Sequence, residues 1–206
     1  MEDYILSHIS PEPEYLARLY RHTHLTHLYP RMCSGHLQGR MLAMLVSMIK
    51  PMHVLELGTF TGYSALCLAE TLPAGGHVHT VEIDDEMEDE LSRLFATSPG
   101  GDRITLHIGD ALEVIPTLHE DWDLVYIDAN KRDYIAYLDL LLPTLHPGTF
   151  IIADNTLWDG KVFDTVKNHD AQTLGLDAFN TYVASHPRLS SVILPLRDGL
   201  TLIRVD

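Results

Sequence analysis

Asp128, Lys131, Asp154 and Asn155 are the residues whose types and spacing most readily do chemistry together. Asp128 closes one short apolar run and Asp154-Asn155 closes the next, so the two strand tips could lie side by side, about 4.8 Å apart. Two carboxylates and an amide oxygen are hard ligands, suited to Mg²⁺ or Ca²⁺ rather than zinc. Three such ligands leave positions free for water and a chelating substrate. Placed together without a cation, the two acids would repel and one would hold its proton. Lys131 lies three positions beyond Asp128. It is either an ordinary surface residue at a helix start or a general base whose pKa a nearby metal lowers.

A second group of residues points to a nucleoside. The stretch Val54-Leu-Glu-Leu-Gly-Thr-Phe-Thr-Gly-Tyr-Ser64 opens as an apolar strand, turns at Gly58 and Gly62, and leads into a helical pattern. A strand that stops at glycine and feeds a helix exposes backbone N–H groups at the positive end of the helix dipole. The spacing is G-x-x-x-G, not the G-x-G-x-x-G of a dinucleotide cradle. A tight turn with no ligand is the alternative. Glu82 follows the glycine turn by about two dozen residues, at the tip of the neighbouring strand, where a carboxylate accepts from ribose hydroxyls. Asp110 either accepts from an adenine amino group or caps the next helix. Glu56, Gly58, Glu82, Asp110, Asp128 and Asp154-Asn155 each sit at or near the end of a strand. All are expected at one crevice beyond the carboxyl ends of a parallel sheet.

The elements that would position them alternate. Strands are expected at His53–Leu57, 77–83, 104–108, 124–127 and 149–153, with helices at 85–96, 111–118 and 132–145 between them. Strands apolar on both faces are those sandwiched between helix layers. A polar loop over 159–172 precedes a helix at 176–185. Apolar runs at 191–196 and 200–205, joined through Arg197-Asp-Gly199, read as a closing antiparallel hairpin. Ahead of the sheet, residues 11–29 form a polar helix carrying Tyr15, Leu16, Leu19 and Tyr20 on one side. Its His22, His24 and His27 are read as a solvated helix end. Ser34 is expected to N-cap a helix over 36–50, whose Met41, Met44 and Met48 are read as core.

The bulk composition narrows the partners. The chain has 206 residues and a net charge of −15, from 14 basic and 29 acidic residues. Nucleic-acid binding needs Lys and Arg against phosphates, so that class is disfavoured and a cation or cationic ligand is favoured. The longest apolar run, 41–49, is far short of the ~20 residues of a membrane span. Cys33 and Cys67 make no disulfide framework and the start Met1-Glu-Asp-Tyr lacks a basic secretory leader, so a cytoplasmic protein is expected.

With these residues assembled, the chain resembles the cation-dependent class I O-methyltransferases, the group of catechol and caffeoyl-CoA O-methyltransferases. The likeness runs from about Met32 to the C-terminus. It rests on 54–64, Val81-Glu-Ile-Asp84, Asp128-Ala-Asn-Lys131, Asp154-Asn-Thr-Leu-Trp158 and Leu194-Pro-Leu-Arg-Asp-Gly-Leu200. The resemblance implies an α/β, Rossmann-like fold of seven strands, mostly parallel with the last antiparallel. It implies one domain, with 1–33 as a helical lid or dimer arm and 34–206 as the core that binds S-adenosylmethionine. Glu56, Gly58, Thr59 and Ser64 would hold the methionine end of that cofactor, with Ser34 closing over it. Glu82 would bind the ribose, and Asp110 and Ala111 would sit by the adenine. Asp128 and Asn130 also lie on the cofactor side. Asp128, Asp154 and Asn155 would bind Mg²⁺, with Ca²⁺ or Mn²⁺ as alternatives. Lys131 would be the base beside Asp128, and Trp158 would wall the pocket of a small phenolic acceptor. A homodimer is expected.

Asn130 stands where the plant caffeoyl-CoA branch has Asp, so the acceptor does not carry over from either branch. Two other functions compete. A NAD(P)-dependent oxidoreductase is opposed by the missing third glycine and by the Asp128/Asp154/Asn155 set. A catalytically silent S-adenosylmethionine-binding protein is opposed by the presence of Lys131 with all three ligands.

Overall fold

Five apolar runs become the parallel part of one sheet in the computed structural model, which describes residues 2–164 and 170–206. The strands are β1 (His53–Leu57), β2 (His77–Glu82), β3 (Ile104–Ile108), β4 (Leu124–Ile127), β5 (Phe150–Asp154), β6 (Leu189–Leu194) and β7 (Leu200–Val205). Their spatial order is β3-β2-β1-β4-β5-β7-β6. β7 runs antiparallel to both β5 and β6, as the Asp-Gly turn signal implied. The order reverses between β1 and β4, which is where ligands bind in open α/β sheets.

Side chains alternate across the sheet and feed two cores. Leu55, Leu57, Val125 and Ile127 pack on one face with α7 (Tyr134–Leu141) and α8 (Ala171–Ser185). Val54, Leu124, Tyr126 and Ile152 pack on the other with α2 (Glu14–Thr26), α3 (Gly35–Ile49) and α4 (Tyr63–Glu70). Each fully buried leucine removes enough apolar surface to contribute about 1.5–3 kcal/mol. The remaining helices are α1 (Glu2–Leu6), α5 (Glu88–Thr97) and α6 (Ala111–Val114). Among the described residues no helix is long and apolar enough to cross a membrane.

Several local expectations are corrected. Met44 and Met48 are not core; they are 58% and 71% exposed. Gln38, Leu42 and Val46, four residues apart, define the inner face of α3 and turn those methionines outward. Ser34 does not N-cap α3: its backbone is already helical and its side chain makes no cap hydrogen bond. The helix at 132–145 is shorter than expected and the one at 176–185 longer. Asp170 caps α8 at Ala171 by accepting from the backbone N–H groups of Gln172 and Thr173. The loop expected over 159–172 falls in part on residues 165–169, outside the described set; a 3-10 turn at Trp158–Phe163 precedes them. The segment before α3 is firmly attached to the core. Leu16 and Leu19 are buried, and the Thr23 hydroxyl donates to the Thr61 hydroxyl at 3.0 Å. His22 and His24 are exposed, as expected of a solvated helix end, and His22 and His27 each place Nε2 3.5 Å from Glu90 Oε1 on α5.

Candidate active site

The β1–α4 turn is built around Gly58, whose φ is +98°. A Cβ there would lie 2.5 Å from the carbonyl oxygen of Asp128, so only glycine lets the turn close against the tip of β4. Beside it, the Phe60 N–H donates to Glu82 Oε2 at 2.7 Å and the Asp84 N–H to Oε1 at 3.0 Å. These bonds fix the Glu82 carboxylate at the end of β2. Thr59 and Thr80 share a hydroxyl hydrogen bond of 2.6 Å beneath it.

At the neighbouring tips, Ile127 pairs with Ala153 in the β4–β5 ladder, which sets Asp128 beside Asp154. The Tyr134 hydroxyl bridges the two ends, 3.1 Å from the carbonyl of Ile127 and 3.1 Å from that of Asp154. Lys131 is 8% exposed; its Nζ donates to Asp128 Oδ1 at 2.5 Å and lies 5.5 Å from the centre of the Tyr134 ring. Its turn is braced from behind by Gly175 of α8, where a Cβ would meet the Lys131 carbonyl at 2.8 Å. Burial pushes the Asp128 carboxyl up to about 6; the Lys131 ammonium opposes the shift and the Asp154 charge adds to it. Asp154 accepts from the Tyr126 hydroxyl at 3.0 Å and from Gln38 on Oδ2, and from the Asn155 N–H at 2.7 Å on Oδ1.

The set fits a hard divalent cation on its donor chemistry. The Asp154 charge adds to the upward shift at Asp128, and a cation between the two carboxylates would relieve that repulsion. Among the described residues no three His, Cys, Asp or Glu side chains cluster as a metal site; beyond the two carboxylates, the Asn155 amide is the nearby hard donor that a cation here would use. The residues also fit a nucleoside: the Gly58 turn lines the cleft, and Glu82 is held at its edge.

One cleft of about 930 Å³ collects Ser34, Gly58, Thr59, Ser64, Glu82, Asp110, Ala111, Asp128, Asn130, Lys131, Asp154, Asn155 and Trp158. Glu56 is not among them. It lies fully buried under the turn, where Oε2 accepts from the Thr80 hydroxyl and Oε1 has no partner. Burial pushes its carboxyl up to about 8, against the hydroxyls of Ser64 and Thr80. Asp110 caps α6 by accepting from the Leu112 N–H at 2.9 Å while still facing the cleft. Asn130 is exposed, and its amide donates to Asp133 at 2.6 Å. Trp158 lines the cleft with φ +48° and its indole Nε1 has no partner.

Four contributing residues were not singled out from the sequence: Gln38, Tyr126, Tyr134 and Arg197. Gln38 did carry a signal, being a polar residue in register with Leu42 and Val46 on an apolar helix face.

The strand order, the reversed seventh strand and a cleft at the β1/β4 switch define a Rossmann-like class I methyltransferase fold. The family model for O-methyltransferases matches residues 6–205, and the chain belongs to that family. A catechol O-methyltransferase of Niastella koreensis is 32% identical over 178 residues, 80% of this chain and 78% of that protein. A caffeoyl-CoA O-methyltransferase of Stellaria longipes is 30% identical over 206 residues, 94% of this chain and 84% of that one. Among solved structures, the Bacillus cereus O-methyltransferase in complex with SAH has a TM-score of 0.90 at 28% identity, covering 99% of this chain and 96% of that one. The oxidoreductase alternative gives way to this membership.

Proposed function

We propose that the chain is an S-adenosylmethionine-dependent O-methyltransferase that requires a divalent cation and acts on one hydroxyl of a small catechol-like acceptor. The observation that carries this reading is the meeting of Asp128, Asp154, Asn155 and Lys131 in the same cleft as Gly58 and Glu82. Relatives of the chain bear the names catechol and caffeoyl-CoA O-methyltransferase, and solved neighbours hold SAH, the demethylated cofactor, which supports the same donor here.

In this reading Glu82 holds the ribose, and Gly58, Thr59 and Ser64 take the methionine end, with Glu56 shaping the turn from below. Asp110, Ala111 and Asn130 border the rest of the nucleoside. Asp128, Asp154 and Asn155 would hold the cation. When bound, these groups supply a sulfonium-activated methyl and a Lewis acid that lowers the pKa of the acceptor hydroxyl. Having first released its own proton to solvent, Lys131 would take the hydroxyl proton on Nζ, and the ammonium re-formed there would be held by Asp128 Oδ1. Gly58, Thr59 and Ser64 would hold the cofactor in line for transfer of its methyl carbon to the acceptor oxygen, the electron pair of the broken carbon–sulfur bond staying on sulfur. Trp158 orients the acceptor ring, and the loop containing Ser34 excludes water. Close, aligned approach supplies much of the acceleration.

The test is transfer of a radiolabelled methyl group to a panel of catechols, flavonoids and hydroxycinnamoyl thioesters, with Mg²⁺ and with EDTA. Product should form on vicinal diols and disappear with EDTA. Equal turnover in both conditions would remove the cation from the proposal.

A further inference from the structure

Arg197 reaches from the β6–β7 turn across the cleft to the opposite wall. Its Nη1 is shared among the Ser34 carbonyl, Gln38 Oε1 at 2.8 Å and the Cys33 carbonyl at 3.4 Å, and its Nη2 donates to the Arg31 carbonyl at 3.4 Å. All of these acceptors are neutral, so its hydrogen bonds tie down a loop, while its charge also acts on the Asp128 carboxylate. Gln38 carries the constraint inward. Its Nε2 donates to the Tyr126 hydroxyl at 2.9 Å and to Asp154 Oδ2, the oxygen that Tyr126 also reaches. Gln38 is 1% exposed and Tyr126 is fully buried, so bulk water has no ready access to replace either link. Arg197 also sits at φ +49°, a conformation unfavourable for a residue with a Cβ and easy for glycine. An arginine held in that conformation points to a role for its side chain.

We propose that Arg197 is a positioning residue: through Gln38 it sets the orientation of the Asp154 carboxylate, and with the same guanidinium it holds loop 31–34 against the cleft. The two ends are therefore coupled, and release of one loosens the other. The proposal rests on the reading above only in taking Asp154 as a cation ligand.

Two readouts on the full chain test it. Cys33 lies in the tied loop and is buried, while Cys67 is fully buried in α4 and serves as the internal control. Maleimide labelling followed by peptide mass should show Cys33 reacting at least ~10-fold faster in Arg197→Gly, with Cys67 unchanged; charge-assisted bonds are strong enough for an effect of that size. Glycine suits the local backbone, so the hairpin should fold. Gln38→Leu should speed Cys33 several-fold, and the double variant should match Arg197→Gly alone because the links act in series. Mn²⁺ binding, read by electron paramagnetic resonance, should weaken by about 10-fold in each variant, the loss typical of a lost outer-shell partner. Unchanged Mn²⁺ affinity in Arg197→Gly, with normal binding by the wild type, would overturn the coupling and leave the methyl-transfer reading intact. A wild-type chain that binds no Mn²⁺ would instead sink the cation reading. Labelling alone then decides this proposal: Cys33 rates that do not change, or that multiply independently in the double variant, reject it.

Discussion

Burial gives Lys131 and Asp128 their chemistry. The pair lies at the mouth of a fully buried strand, with side chains only 10% and 16% exposed, so each ion depends on the other for solvation. Removing the amine should therefore act on turnover. Lys131→Ala is expected to lower kcat by about 10²–10⁴-fold while acceptor KM moves little; steady-state kinetics over a range of acceptor concentrations checks it. Asp154→Ala should abolish stimulation by divalent cations yet leave SAH affinity within a few-fold, read by titration calorimetry with and without Mg²⁺. At this scale the acids were largely legible, because an acid that ends a buried strand is conspicuous. Glu56, two positions short of the glycine, lies under the turn with its Oε2 on the Thr80 hydroxyl. Gln38 and Arg197 could not be paired from sequence, since they meet across 159 positions of chain.

The strands also carry a feature with no part in the cleft. His77 and His79 of β2 stand near His107 of β3, with His79 Nδ1 3.0 Å from His107 Nε2 and the His79 ring against Trp122. Burial lowers the pKa of all three, that of His79 to about 4, with the neighbouring imidazoles adding and Glu120 opposing at His79. A folded pKa below the unfolded 6.5 means the contribution is fully present above pH 6.5 and is lost as pH falls toward about 4. Urea midpoints measured from pH 7.5 to 4.5 should fall for the wild type and fall less for His79→Gln. Strand positions were legible because buried strands are short, apolar and bounded by glycine or acid. Helix faces were less so. In α3 the methionines share the apolar character of Leu42 and Val46, and only packing against α4 decides which stripe is inside.

Over the whole molecule, a chain of net charge −15 keeps Lys131 and Arg197 on the walls of a single large cleft that also holds the proposed ligands. Occupying it should stabilise the fold: SAH at 100 times its Kd is expected to add about 2.7 kcal/mol. At roughly 2–4 °C per kcal/mol for this size, Tm should rise by several degrees in a thermal-shift titration. The topology was legible from the alternation of strands and helices plus one Asp-Gly turn. The attachment of the N-terminal segment was not, because Thr23 and Thr61 find each other only in the folded state. The reversal of β7 has one further effect. A strand that runs backwards returns the 195–199 turn to the rim where the parallel strands end, opposite Asp154. There Asp198 accepts from the Leu157 and Trp158 N–H groups, and Gly199 leaves space for the Leu157 side chain. Lengthening or shortening that turn by a residue would reshape the wall proposed for the acceptor while every strand stayed paired, so this small hairpin is where acceptor preference can drift without endangering the sheet.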